Sequence, residues 1–178
     1  MGMESPGFLA VWAVAMAAMM LPSELPLFRL AHATTRSVRH TALLVGGYGA
    51  VWLAVGVAAM QAPMLPEVWV LAGVAVYQLT PLKRRCLAVC RAPLARVLHG
   101  WHDGRLGAFR MGVENGLLCL GCCVGLTVAL IALGMTNVLL MAAVAAAIFV
   151  EKATRFGVGA SRLSAVGLAT AGAVLWAT

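Results

Sequence analysis

Every Lys and Arg of this 178-residue chain falls around three of the five gaps between its six apolar stretches. Those stretches are Phe8–Leu30, Ala42–Met60, Val68–Leu79, Met111–Leu133, Val138–Val150 and Leu163–Trp176. Arg29, Arg36 and Arg39 cluster around the first gap. Lys83, Arg84, Arg85, Arg91, Arg96, Arg105 and Arg110 fill the third, and Lys152, Arg155 and Arg162 the fifth. The second gap, around Ala62–Glu67, and the fourth, Gly134–Asn137, hold none. Gaps alternately rich and empty in cations are the charge pattern of a multi-pass membrane protein, because cation-rich loops stay in the cytoplasm. The pattern predicts an all-α, polytopic transmembrane helical bundle of about six spans in an inner membrane, with both termini outside. A span needs about 20 apolar residues, so the third and fifth stretches must extend into their flanks.

The composition, 62% hydrophobic against 11% charged, excludes a soluble domain of this size, which has too little interior to hide that much apolar surface. The net charge of +7 sits beside membrane spans, where headgroup contact accounts for it. The bilayer, and not nucleic acid, is the expected partner of these cations. No Lys or Arg precedes the first apolar run, so the sequence carries no convincing signal peptide. The chain reads as one integral membrane domain, 1–178, with 81–110 as a basic interfacial segment on the cytoplasmic side. Its five cysteines, Cys86, Cys90, Cys119, Cys122 and Cys123, lie inside the bilayer or on its reducing side. That setting disfavours structural disulfides and favours metal or redox chemistry.

Two sulfur-rich faces stand out. Met16, Met19 and Met20 share one helix face through i, i+3, i+4 spacing. Pro22 and Pro26 follow at once and are expected to break the first span, each removing a backbone donor. Glu24 sits in that expected break, and an ionisable group at membrane depth is a functional candidate. In the fourth stretch Cys119, Cys122 and Cys123 repeat the same spacing, accompanied by Gly112, Gly116, Gly121 and Gly125. Small residues let a second helix approach closely. Thiolates and thioethers together form a soft donor set that favours Cu(I) over hard cations. The plain alternative is core packing, which Met and buried Cys both do well.

A third stretch runs from Tyr77 to Pro93. Thr80-Pro81 reads as an N-cap and first helical residue. Cys86 and Cys90 then fall on one face, flanked by Lys83, Arg84, Arg85 and Arg91, which are expected to lower the thiol pKa. Such a pair suits docking with a cytoplasmic metal donor or acceptor; an interfacial helix with inert thiols is the alternative. Arg110 with Glu114, and Glu151 with Lys152, read as structural ion pairs at span ends, Glu114 also serving as a candidate for charge compensation. His32, His40, His99 and His102 lack zinc-motif spacing and read as loop residues, with His99 and His102 on one face around Trp101.

Taken in order, Ala15-Met-Ala-Ala-Met-Met-Leu-Pro22, Tyr77-Gln-Leu-Thr-Pro-Leu-Lys83, Cys86-x-x-x-Cys90-Arg91-x-Pro93, Gly112-x-x-x-Gly116-x-x-Cys119-Leu-Gly-Cys122-Cys123 and Glu151-Lys152 resemble the domain-of-unknown-function family 2182. That family consists of predicted metal-binding integral membrane proteins for which copper handling has been suggested. The resemblance covers roughly Ala15 to Lys152. It implies a helical membrane protein with a transition-metal role. The chain departs from the pattern after Cys123, where Val124, Gly125, Leu126 and Thr127 replace the usual Trp and Leu-Met.

These observations converge on binding of Cu(I), or another soft transition metal, for delivery, insertion or transport, with a metallochaperone or metalloenzyme as acceptor. Cys119, Cys122, Cys123, Met16, Met19 and Met20 are the expected ligands, Cys86 and Cys90 a docking pair, and Glu24 and Glu114 the charge-compensating or gating groups. Eight soft residues exceed what one ion takes, so there are two sites or some of them only pack. A membrane thiol-disulfide oxidoreductase and a structural assembly subunit are the rival classes. The oligomeric state is open.

Overall fold

A computed structural model describes residues 7–62, 66–99, 104–134, 137–154 and 157–177. The helices in chain order are α1 (Phe8–Thr35), α2 (Val38–Met60), α3 (Glu67–Leu79), α4 (Pro81–Cys90), α5 (Pro93–His99), α6 (Gly104–Leu133), α7 (Val138–Ala153) and α8 (Gly157–Ala177). No strand occurs among the described residues, and the expected all-α class is what the chain adopts. Trp101, His102 and Arg155 lie outside the described residues. Four helices, α1, α2, α6 and α8, are long and apolar enough to cross a membrane. They correspond to the first, second, fourth and sixth expected spans. The other two expected spans are shorter helices: α3 has 13 residues and α7 has 16, about 20 and 24 Å at the helical rise, against a hydrocarbon core of about 30 Å.

The expected break at Pro22 and Pro26 does not occur. The helix runs unbroken from Phe8 to Thr35 with both prolines inside it. Each proline deprives a carbonyl one turn back of its helical partner. Polar contacts on the same stretch tie it to its own backbone and to a neighbouring helix. Ser23 Oγ donates to the Met20 carbonyl at 2.8 Å, and Glu24 accepts from Asn115 of α6 at 2.9 Å. The helix ends at Arg36, which takes the left-handed conformation (φ 49°) and returns its N–H to His32 O at 2.7 Å. Ser37 then caps α2 through the His40 N–H, so α1 and α2 form a hairpin with a two-residue link.

The chain divides into two compact units. The first comprises the described residues within Met1–Ala62 and Val89–Leu120; the second comprises those within Pro63–Ala88 and Gly121–Thr178. In the first unit, α1 packs antiparallel on α2. Trp12 Nε1 donates to Trp52 O at 2.7 Å, and the indole lies over Gly56, where a Cβ would come within 2.6 Å of it. The α2–α6 contact is closer still and parallel. A Cβ on Gly47 would collide with the Phe109 carbonyl, and one on Gly112 with the Leu44 carbonyl. One turn on, Gly116 faces Val51 and the Tyr48 carbonyl. Such backbone-to-backbone approach is what small residues permit.

In the second unit α3 and α8 run antiparallel. The pairs in register are Trp69 with Trp176 (ring centroids 6.1 Å, edge to face), Leu71 with Gly172, and Gln78 with Ser161, whose Oγ donates to the Gln78 carbonyl at 2.9 Å. Leu71, Val74 and Ala129 form the buried centre of this unit, covered by Val70, Leu133, Leu168 and Ala171. The two exposed tryptophans sit together at matched ends of α3 and α8, the arrangement an interfacial aromatic belt takes.

The close α2–α6 approach carries a test. Gly47→Ala or Gly112→Ala should destabilise the protein by about 2 kcal/mol or more, since the added methyl meets backbone that cannot swing aside. Gly46→Ala, which meets nothing within 4 Å, should be neutral or stabilising by up to about 1 kcal/mol. Thermal unfolding in detergent separates the two outcomes.

Candidate metal centre

In the first unit the sulfur face of α1 is turned inward. Met16, Met19 and Met20 are all buried, as is Cys119 of α6. The bond between Glu24 and Asn115, both buried, fixes the register of the two helices. Because α1 is antiparallel to α2 and α2 is parallel to α6, one turn back on α1 lies opposite one turn forward on α6. That register sets the turn of Met20 beside the turn of Cys119. Tyr48 of α2 completes the group: its hydroxyl lies 3.0 Å from Cys119 Sγ, and Phe28 packs edge-on against its ring. Met16, Ala17, Leu21, Tyr48 and Trp52 line an apolar cleft of about 210 Å³ between α1 and α2.

In the second unit the sulfur chemistry gathers on Gly121 of α6. Cys86 Sγ packs so closely on this glycine that a Cβ there would lie 2.7 Å from the sulfur. Tyr77 donates its hydroxyl to the Gly121 carbonyl, and its ring lies against Gly125 one turn further. Cys122 and Cys123 are buried, and the Tyr77 hydroxyl is within electrostatic range of Cys86, Cys122 and Cys123. The expected lowering of the Cys86 pKa by its flanking cations is overturned. Burial pushes the Cys86 thiol up, and the negative charge of a Cys122 thiolate adds to the rise. Arg84 and Arg85 are exposed, so water screens them from the half-buried sulfur.

All five cysteines are thiols. The Cys119, Cys122 and Cys123 sulfurs start from one helix, with Cys119 about a turn from the adjacent Cys122 and Cys123, and that helix cannot by itself fold them around one ion. Among the described residues no three His, Cys, Asp or Glu side chains come together as a ready metal cage. Donors from a second helix are required. In the first unit those available are the α1 methionines, and in the second Cys86 of α4.

The charged groups depart from the sequence reading at one place. Arg110 and Glu114 pair as expected, at 3.0 Å on an open helix face. Glu151, expected beside Lys152, pairs with Lys83 of α4, at 2.7 Å. Lys83 is 0% exposed and Glu151 1%. The ammonium also bonds Gln78 Oε1, and Ser164 Oγ donates to the second carboxylate oxygen at 3.2 Å. Lys83 is therefore turned into the protein interior and away from its exposed neighbours Arg84 and Arg85. The Thr80 cap, whose hydroxyl accepts from Lys83 N–H at 3.3 Å, starts α4 in a rotation that turns this side chain inward. Sequence reasoning also missed Asn115, Tyr48 and Tyr77 as parts of the centres. A polar side chain in an apolar run was the available signal for Asn115, and its place in the Tyr77-to-Lys83 motif was the signal for Tyr77; Tyr48 carried none.

Two outcomes are expected from these arrangements. Lys83→Met leaves a buried carboxylate uncompensated and should cost about 3–5 kcal/mol, whereas Lys83→Met with Glu151→Leu should recover most of it. Denaturation of the wild type, Lys83→Met, Glu151→Leu and the double variant forms the cycle. Alkylation of Cys86 should lag that of an ordinary thiol at neutral pH and keep rising with pH beyond it, because its thiolate forms later. Cys122→Ser should bring the rise to lower pH, which a rate–pH profile of labelling at Cys86 measures.

A family model described as PpoB2, copper chaperone, matches residues 9–68 and 59–175. No curated protein and no solved structure matches the chain. The two matched segments overlap and together run from the start of α1 into the last turns of α8. With most of its length covered by that model, the chain belongs to the PpoB2 copper chaperone family.

Proposed function

We propose that this protein is an integral membrane copper chaperone that holds Cu(I) on sulfur ligands between α1 and α6 and releases it to a partner. Cys119 supplies the thiolate, and Met16 and Met20 supply thioethers, with Met19 behind them. The observation that carries this reading is the buried Glu24–Asn115 bond, which registers the Met20 turn against the Cys119 turn within one unit. Sulfur donors match a soft monovalent cation, and a site that offers them without carboxylate cages disfavours hard competitors. On binding, the Cys119 proton leaves and a Cu–S bond forms with no change in the metal's oxidation state. Tyr48 then keeps a hydrogen bond to the sulfur and limits its rotation, a supporting role of the kind that tunes metal sites. Ligand exchange with an incoming thiol is the natural route of release, so the expected partner is a soluble metallochaperone or a metalloenzyme acceptor.

The membrane setting belongs to the same reading. The chain spans the inner membrane about six times. The cation-rich loops face the cytoplasm and both termini face outward. The paired Trp69 and Trp176, at the start of α3 and the end of α8, support a common outer level for those two ends.

Purification in mild detergent under reducing, copper-replete conditions, followed by metal mass spectrometry, tests the proposal. The wild type should carry copper. Cys119→Ser should lose about one ion per chain, and Met16→Leu with Met20→Leu should weaken binding by roughly 10-fold or more. Equal copper in wild type and Cys119→Ser would end the assignment.

A further inference from the structure

We infer that the second unit holds a thiol station of its own, Cys86 of α4 with Cys122 of α6, which binds a soft cation and is positioned by the buried Lys83–Glu151 pair. The inference rests on the copper reading above but uses none of the residues proposed there.

The geometry begins at Gly121. Its missing side chain is what admits Cys86 Sγ against α6, one residue from Cys122, and Tyr77 pins the same point by donating to the Gly121 carbonyl. Cys86 of α4 and Cys122 of α6 thus come from two helices to the same turn of α6. Neither helix alone brings two sulfurs together in this way; the α4–α6 contact does.

What holds α4 in that rotation is Lys83. It lies three residues before Cys86 and shares its face. Its ammonium is buried against Glu151 of α7 and Gln78 of α3, and Ser164 of α8 braces the carboxylate. A buried ion pair is weak evidence for stability, but it fixes register and rotation where an apolar contact allows sliding. Gln78 Nε2, deep in the same network, is buried with no hydrogen-bond acceptor among the described residues.

Binding balances simply. One Cu(I) displaces two S–H protons to water and forms two Cu–S bonds, with no electron moved, leaving a complex of one negative charge. Lys83, one turn away, is the buried cation nearest in sequence to that complex. Its role is positioning, exerted through the Glu151 and Gln78 contacts that fix the rotation of α4.

The test uses the full chain in detergent, anaerobic and reduced, titrated with a Cu(I)–glutathione complex. Thiolate-to-copper absorbance and bound metal are read together. Cys86→Ser and Cys122→Ser should each remove the same single equivalent, and the double variant no more than either alone. Cys119→Ser should leave that equivalent intact. Loss of copper only in Cys119→Ser would overturn this station and spare the first; loss only in Cys86→Ser and Cys122→Ser would do the reverse. Additive losses at Cys86 and Cys122 would overturn their pairing. Gly121→Ala, whose methyl can be met by rotation of the Cys86 side chain, should weaken this station about 10-fold or more; unchanged affinity would count against the geometry. Lys83→Met with Glu151→Leu should weaken the station by a similar factor with thermal stability retained. Wild-type affinity in that variant would remove the positioning role. Should it fail to fold, dibromobimane bridging of Cys86 to Cys122 decides whether the sulfurs are in reach, and no bridging overturns the site.

Discussion

Four glycines on α6 set how near anything else can come. At Gly112 and Gly116 the backbone of α2 lies against the helix, and at Gly121 and Gly125 the Cys86 sulfur and the Tyr77 ring do. The consequence in each unit is the same. Where a helix has no side chains, a neighbour's atoms reach its axis, and the cysteines interleaved with those glycines are carried into the interior. Cys119 is buried through the α2 contact and Cys122 through the α4 and α3 contacts. Without the glycines the thiols would still share a helix but would lose the second helix that a metal site needs.

Polar groups are sparse in these interiors and nearly all are accounted for. Glu24 has Asn115; Lys83 has Glu151 and Gln78; Ser161 has the Gln78 carbonyl. In apolar surroundings a bond of this kind discriminates strongly between one register and the next, because the alternative leaves a desolvated charge or donor unmatched. Both proposed sulfur sites lie one turn from such a bond. Met20 and Cys119 flank the Glu24–Asn115 contact, and Cys86 follows Lys83. Directional polar contacts thus position soft ligands that have little directional preference of their own.

The primary structure disclosed the helical class, because apolar runs of this length and this distribution of cations have few other solutions. It disclosed the donors, since the Met and Cys spacings follow helical geometry, and the cap at Thr80 followed by Pro81. It misled at Pro22 and Pro26, where local preference pointed to a break. The helix continues through both prolines and is held against α6 by the Glu24–Asn115 bond, and no scan of neighbouring residues reveals a donor 91 positions away. It misled again over the Cys86 thiol, because cations adjacent in sequence turned outward to water while burial set the thiol's behaviour.

What the chain's order of residues determined by itself is therefore periodic and compositional: helices, their apolar character, and faces bearing sulfur. What only the tertiary structure decided is partnership. Lys83 chose Glu151, 68 residues distant, over the arrangement its cationic neighbours suggested, and Cys86 met Gly121 and Cys122 on another helix. Periodicity follows from backbone geometry, which every residue shares. Partnership follows from which surfaces can approach without collision and without stranding a charge, and those conditions exist only once the helices have packed.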